Sequence, residues 1–141
     1  MTAQLTGEGI EVGFCTRDPE AMKAFYGDFL GLEVNDEFAF PGGYQCRYRA
    51  GKSIIKVVTY DDGIAAPAVP GGGPGQVGIR YISMFVANLE ELEQEVKDSQ
   101  YELLEPLSRF LPEFGWIFVA DPDGNWLEIA GPVSAGEPVE R

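Results

Sequence analysis

Apolar and polar positions along the chain alternate first with period two, then with a helical period, then with period two again, and this order occurs twice. In residues 10–15, Ile10, Val12 and Phe14 fall on one face and Glu11, Gly13 and Cys15 on the other, which predicts a strand with one side to be covered. Asp18-Pro19 opens a helix, with Asp as N-cap and Pro at the first helical position. Met22, Phe25, Tyr26 and Phe29 then recur at i, i+3, i+4 and i+7 as one buried stripe, and Gly31 ends the helix. Three strands follow over 32–40, 44–50 and 53–59, separated by the turns Pro41-Gly42-Gly43 and Gly51-Lys52. In the last of them Ile55, Val57 and Thr59 share a face, leaving Ile54, Lys56 and Val58 on the other.

The second pass begins after a Gly-, Pro- and Ala-rich connection over 61–78. Its run Gly71-Gly72-Gly73-Pro74-Gly75 lacks the strand–helix context and the Lys-Ser/Thr pair of a phosphate loop, so it reads as a linker able to fold over a site. A strand over 79–86 places Tyr81, Ser83 and Phe85 opposite Ile82, Met84 and Val86, and Asn88 caps a helix with the stripe Leu89, Leu92 and Val96. Strands over 101–107 and 115–120 flank a loop at 111–114. The turn Asp121-Pro122-Asp123-Gly124-Asn125 leads into a final strand, 126–130, which puts Leu127 and Ile129 on one face and Trp126, Glu128 and Ala130 on the other.

The chain therefore reads as α+β, two βαβββ modules forming a curved mixed sheet around a shared cavity. The expected boundaries are an N-terminal segment 1–9, a first module 10–60, a linker 61–78, a second module 79–132 and a mobile acidic tail 133–141. Glu11 and Tyr81 hold equivalent places in the two first strands, and Lys56 and Glu128 in the two last strands, all on the face away from the helices.

Composition narrows the chemistry. A net charge of −13 disfavours nucleic acid and anionic membranes as partners, since both need clustered Lys and Arg, and it permits a cationic ligand. No apolar run is long enough to span a bilayer, and the start of the chain lacks a basic region followed by an apolar core, so a cytoplasmic, uncleaved protein is expected. Cys15 and Cys46 fit no zinc spacing and read as thiols. The chain has no histidine, which excludes imidazole metal ligands, Ser-His-Asp triads and histidine bases.

Two stretches, Phe25-Tyr26-Gly27-Asp28-Phe29-Leu30-Gly31-Leu32 and the 121–125 turn leading to Glu128, resemble the vicinal oxygen chelate superfamily of glyoxalases, bleomycin-resistance proteins and extradiol dioxygenases. The resemblance covers residues 10–132 and implies paired βαβββ modules. In metal-using members the first strands of both modules carry a ligand, often His, and the last strands often carry Glu. Those positions here are Glu11, Tyr81, Lys56 and Glu128, and only Glu128 keeps the usual ligand. Lys56 is a donor-only cation that would repel a divalent ion, so a metal such as Mn²⁺, Mg²⁺ or Ca²⁺ is disfavoured and no cofactor is expected.

Two functions follow from this reading. The first is a metal-independent isomerase- or lyase-type enzyme acting on a small carbonyl metabolite. Glu11 or Glu128 would move the proton, and Lys56 and Tyr81 would steady the enolate oxygen. The alternative is a bleomycin-resistance-like protein that sequesters a drug or natural product against Tyr44, Phe85, Trp116 and Trp126. Arg47 and Arg49 read as solvated. A small-molecule ligand and a homodimer are the expected partners.

Overall fold

In a computed structural model of the chain, residues 2–69 and 71–139 are described; Met1, Pro70, Glu140 and Arg141, which fall in the expected N-terminal segment, linker and tail, lie outside the described residues. The chain divides into two units, Met1–Pro67 and Ala68–Arg141. Each repeats the strand–helix–strand–strand–strand order that the sequence predicts.

The first unit holds β1 (Glu11–Cys15), α1 (Pro19–Lys23), β2 (Val34–Phe40), β3 (Gly43–Ala50) and β4 (Ser53–Tyr60). Its sheet has the order β1-β4-β3-β2, with β1 parallel to β4 and the other pairs antiparallel. The Asp18 carboxylate accepts the Ala21 N–H at 3.1 Å, so the helix starts where its cap and proline place it. After Lys23 the backbone widens into a π-helical turn, Ala24–Phe29, in which the Leu30 N–H reaches the Phe25 carbonyl at 2.9 Å.

That widening corrects the expected stripe. Met22, Phe25 and Tyr26 are fully buried, but Phe29 is only half-buried. With i→i+5 bonding, a position seven residues on no longer lies over the first. Gly31 closes the helix at φ 74°, a conformation that costs glycine no steric strain. The Leu32 N–H is spent on the Tyr26 carbonyl, which is why β2 begins at Val34 and not at residue 32.

The second unit holds β5 (Tyr81–Phe85), α2 (Leu89–Lys97), β6 (Leu103–Leu111), β7 (Phe114–Ala120) and β8 (Trp126–Pro132), in the sheet order β5-β8-β7-β6. Leu89, Leu92 and Val96 are buried as their spacing predicts, over Ile117, Val119, Leu127 and Ile129 of the sheet. Asn88 stands at the N-cap without a side-chain bond to the helix. β6 runs further than expected, through Pro106 to Leu111, and the 111–114 loop shrinks to the turn at Pro112 and Glu113. The register shifts between Glu105 and Ser108, which leaves room for a proline that cannot donate to the ladder. Leu107 N–H turns instead to the Glu93 carboxylate of α2 at 2.5 Å.

Residues 133–139 of the expected tail are hydrogen-bonded to the second unit. Val133, Gly136 and Val139 N–H groups bond to the carbonyls of Glu113, Pro112 and Arg109 at 3.0, 2.9 and 3.1 Å, which laces residues 133–139 to the β6–β7 hairpin. No helix of the described residues is long and apolar enough to cross a membrane.

The turn before β8 is held by Asp121, only 4% exposed. Its Oδ1 accepts from Asp123 and Asn125 N–H at 2.9 and 3.0 Å, and its Oδ2 from the Asn125 amide at 2.8 Å. Asp121→Ala strands those donors, and an unsatisfied buried polar group costs roughly 1–3 kcal/mol. Urea denaturation should show a loss of about 2–3 kcal/mol for this variant, and an unchanged midpoint would refute this account of the turn.

Candidate ligand site

Helices cover one face of each sheet, and the chemistry lies on the other. In the first unit the register aligns Gly13, Lys56, Arg47 and Asp36 in one row across the four strands. Glu11 projects beside that row, where its Oε1 accepts from Arg47 Nη2 at 2.9 Å and Nε at 3.2 Å and lies 3.4 Å from Lys56 Nζ. Arg47 Nη1 reaches Asp36 Oδ1 at 2.7 Å. The result is an interlaced network of two cations and two carboxylates. The Arg47 hydrogen bond is the main reason that the Glu11 carboxyl is held below its usual range, and the Lys56 charge adds to it. Asp36 is lowered first by the Asn35 amide and then by Arg47.

Arg47 was expected to be solvated, yet its side chain is 19% exposed and joins the two carboxylates. The strand register that makes it a neighbour of Lys56 is not visible in the sequence. Tyr44 is corrected in the opposite sense. It shares the strand face of Cys46 and Tyr48, its hydroxyl donates to Glu37 at 2.6 Å, and Lys23 of α1 lies 5.9 Å over its ring. It therefore belongs to the helix-covered side and does not line the open face.

In the second unit the register pairs Tyr81 with Trp126, Ser83 with Glu128, and Phe85 with Ala130. Ser83, Glu128, Phe118 and Glu105 form the row that corresponds to the charged row of the first unit. Ser83 Oγ donates to Glu128 Oε1 at 3.0 Å. On one side of this row Tyr81 and Trp126 close on Phe118, at centroid distances of 5.4 and 5.3 Å. On the other side Phe110 and Trp116 stack at 4.1 Å, with Phe114 6.3 Å from both Phe110 and Phe85. Glu128, half-buried, thus stands between two aromatic groups.

A cavity of about 450 Å³ opens beside the first group, lined by the 72–75 backbone, Tyr81, Glu105, Phe118 and Trp126. The glycine-rich run forms one wall of it. A Cβ on Gly72 would fall 2.6 Å from the Trp126 ring, so only glycine lets the chain lie that close. Arg80 fixes the run, with Nη2 on the Gly71 carbonyl at 2.6 Å and Nε on that of Gly72 at 3.4 Å.

Of the four polar residues expected to act together, Glu11 and Lys56 meet in the first unit, and Tyr81 and Glu128 share the open face of the second. Ser83, rather than Tyr81, is the neighbour of Glu128. Sequence reasoning overlooked Ser83, Glu105 and Phe118 as site residues. Ser83 shared the predicted face of Tyr81 and was the readable signal; Glu105 and Phe118 needed the register. Among the described residues no group of three or more His, Cys, Asp and Glu could hold a metal ion.

Residues 10–129 match the Glyoxalase/Bleomycin resistance protein/Dioxygenase superfamily. The chain belongs to this superfamily. No curated protein matches it. Among solved structures it is similar to a glyoxalase family protein of Enterococcus faecalis, at 25% identity over 90% of this chain and 96% of that one with a TM-score of 0.61. A glyoxalase family protein of Bacillus cereus is 11% identical over 94% and 97%, with a TM-score of 0.73. The trypanothione-dependent glyoxalase I of Leishmania major is 15% identical over 86% and 84%, with a TM-score of 0.66. The two likenesses of lower identity concern the fold alone.

The lowered Glu11 carboxyl in this superfamily member gives a signed pH dependence. Its folded pKa lies below the unfolded one, so its contribution is present above the unfolded value and disappears as pH falls through the folded value. Glu11→Gln should be less stable than the parent protein at pH 7, with the difference closing in acid below the ordinary carboxylate range. Chemical denaturation along a pH series checks this, and a difference that stays constant would refute it.

Proposed function

We propose that this glyoxalase-superfamily protein binds a small carbonyl metabolite against the open face of its second sheet and catalyses isomerase- or lyase-type proton transfer there without a metal. The observation that carries the proposal is the setting of Glu128: half-buried, held by the neutral Ser83 hydroxyl, flanked by aromatic groups, and in no ion pair among the described residues. A carboxylate steadied through one oxygen keeps the other for a proton. In the proposed step the proton on the carbon next to the carbonyl passes to Glu128, the bonding pair moves to give an enolate, and the proton returns at a new position. The Tyr81 hydroxyl, on the same face, is the donor for the enolate oxygen.

The donor chemistry supports a reaction without a divalent ion. Lys56 has no lone pair to offer as an ammonium, and Glu11 Oε1 already takes both Arg47 and Lys56. Lys56 and Glu11 enter this reading as an electrostatic pair of the first module.

Sequestration is the second reading, favoured by the extent of aromatic surface beside Glu128, where Phe85 alone is 75% exposed. The two readings separate on Glu128→Gln. Loss of a general base lowers rates by about 10²–10⁴-fold, so exchange of the α-proton of the substrate with deuterated solvent should fall by that much. A ligand that binds tightly, shows no exchange and binds Glu128→Gln equally well would establish sequestration instead. Elemental analysis of protein purified without chelator should find no stoichiometric transition metal. One equivalent that vanishes in Glu128→Gln would overturn the metal-independent reading.

A further inference from the structure

The cavity beside Glu128 has a chemical preference of its own. Its side-chain walls are three aromatic rings, Tyr81, Phe118 and Trp126, the ring of Pro74, and one carboxylate, Glu105. Among the described residues no basic side chain lines it. The nearby Arg80 is held on the Gly71 and Gly72 carbonyls and is absent from the lining. Phe118 sits in the row between Glu105 and Glu128, so its ring is flanked along the sheet by two carboxylates one strand away on either side.

Ring faces carry a negative quadrupole and attract cations, most strongly when the cation is weakly hydrated. A carboxylate at the rim of such a cage adds a full negative charge. An anion entering it would meet aromatic rings and Glu105, and the nearest guanidinium, Arg80, is engaged by the Gly71 and Gly72 carbonyls behind the glycine wall. A neutral apolar group would gain burial alone. We propose that this cavity is an aromatic cage for an organic ammonium group, and that the ligand of the second sheet is a carbonyl compound bearing one. This rests on the ligand reading above and names its chemical class. Because the Tyr81–Trp126 pair lies one step along the strands from the Ser83–Glu128 pair, a compact molecule anchored by its ammonium group in the cage would extend toward Glu128.

Choline and its neutral isostere 3,3-dimethylbutan-1-ol, which replaces the charged nitrogen by carbon, test the proposal by titration calorimetry on the full chain. Choline should bind about tenfold more tightly than the alcohol. Glu105→Gln, a substitution at an exposed strand position, should weaken choline and leave the alcohol unchanged, while Phe118→Leu should weaken both. Equal binding of the two probes, tighter binding of the alcohol, or binding of neither would overturn the cage. Glu128-dependent α-proton exchange in carbonyl compounds that lack an ammonium group, together with equal binding of the two probes, would remove the cage and leave the proposed catalysis standing. Choline selectivity with no exchange in any ammonium-bearing carbonyl compound would do the reverse.

Discussion

The parallel pairing of the first and last strands of each module, β1 with β4 and β5 with β8, is the constraint on which the rest depends. Parallel neighbours cannot be joined by a tight turn, so the chain must leave the sheet and return. It leaves as a helix, which must bury its apolar stripe on one sheet face, and it comes back through a two-strand hairpin that fills the other side of the last strand. One face of every module is thereby consumed by packing, with Met22, Phe25 and Tyr26 in the first and Leu89, Leu92 and Val96 in the second. Whatever the module binds has to be met by the other face. The same pairing then decides who meets whom there, because a slip of one residue would turn every side chain to the opposite face.

On this shared frame the two modules carry different chemistry. The row Gly13, Lys56, Arg47, Asp36 satisfies its charges internally, with Glu11 beside it. Pairs as exposed as these contribute little to stability individually. Their effect is to fix the positions of side chains that would otherwise sample many rotamers. The equivalent row Ser83, Glu128, Phe118, Glu105 does the opposite. A phenyl ring stands where the first module has its arginine, so the carboxylates of this row have no internal cation to neutralise them, and the surface around them is aromatic. A charge network closes on itself; an aromatic row with unpaired carboxylates is open to a ligand of the complementary kind.

The periodicity of the chain made the element order and both buried stripes legible, because burial is written locally in the spacing of apolar residues. It also placed Glu11, Lys56, Tyr81 and Glu128 on the correct faces. What it could not reach was set by backbone geometry or by long-range register. The π-helical turn that half-exposes Phe29 has no periodic signature. Tyr44 alternates with Arg47 along its strand, so the register that sets Arg47 beside Lys56 turns Tyr44 to the helix side, where Glu37 and Lys23 meet it. The expected strand ended at residue 107, whereas a bulge with the Glu93 carboxylate as substitute acceptor carries β6 on to Leu111. The fold of the superfamily was readable, but fold alone does not specify reaction. The site depended on pairs, Ser83 with Glu128 and Arg47 with Glu11, that no local pattern encodes.

The glycine-rich run at 71–75 joins these two levels. In sequence it is a breaker, and in the structure it walls one side of a cavity, for the same physical reason. Residues without side chains lose the most backbone entropy on ordering and need partners to hold them. Two such partners exist here: the ring of Trp126, which Gly72 approaches more closely than any Cβ could, and the guanidinium of Arg80, which donates to two successive carbonyls. Both belong to strands of the second sheet or to the residue just before them, so the order of this segment is tied to one of the rings that line the cavity. A ligand on the Trp126 ring would therefore add contacts to the segment that already needs them most, and part of its binding energy would go into ordering that segment. Specificity would then come from what the walls reject, chiefly anions set against Glu105, more than from a large total affinity.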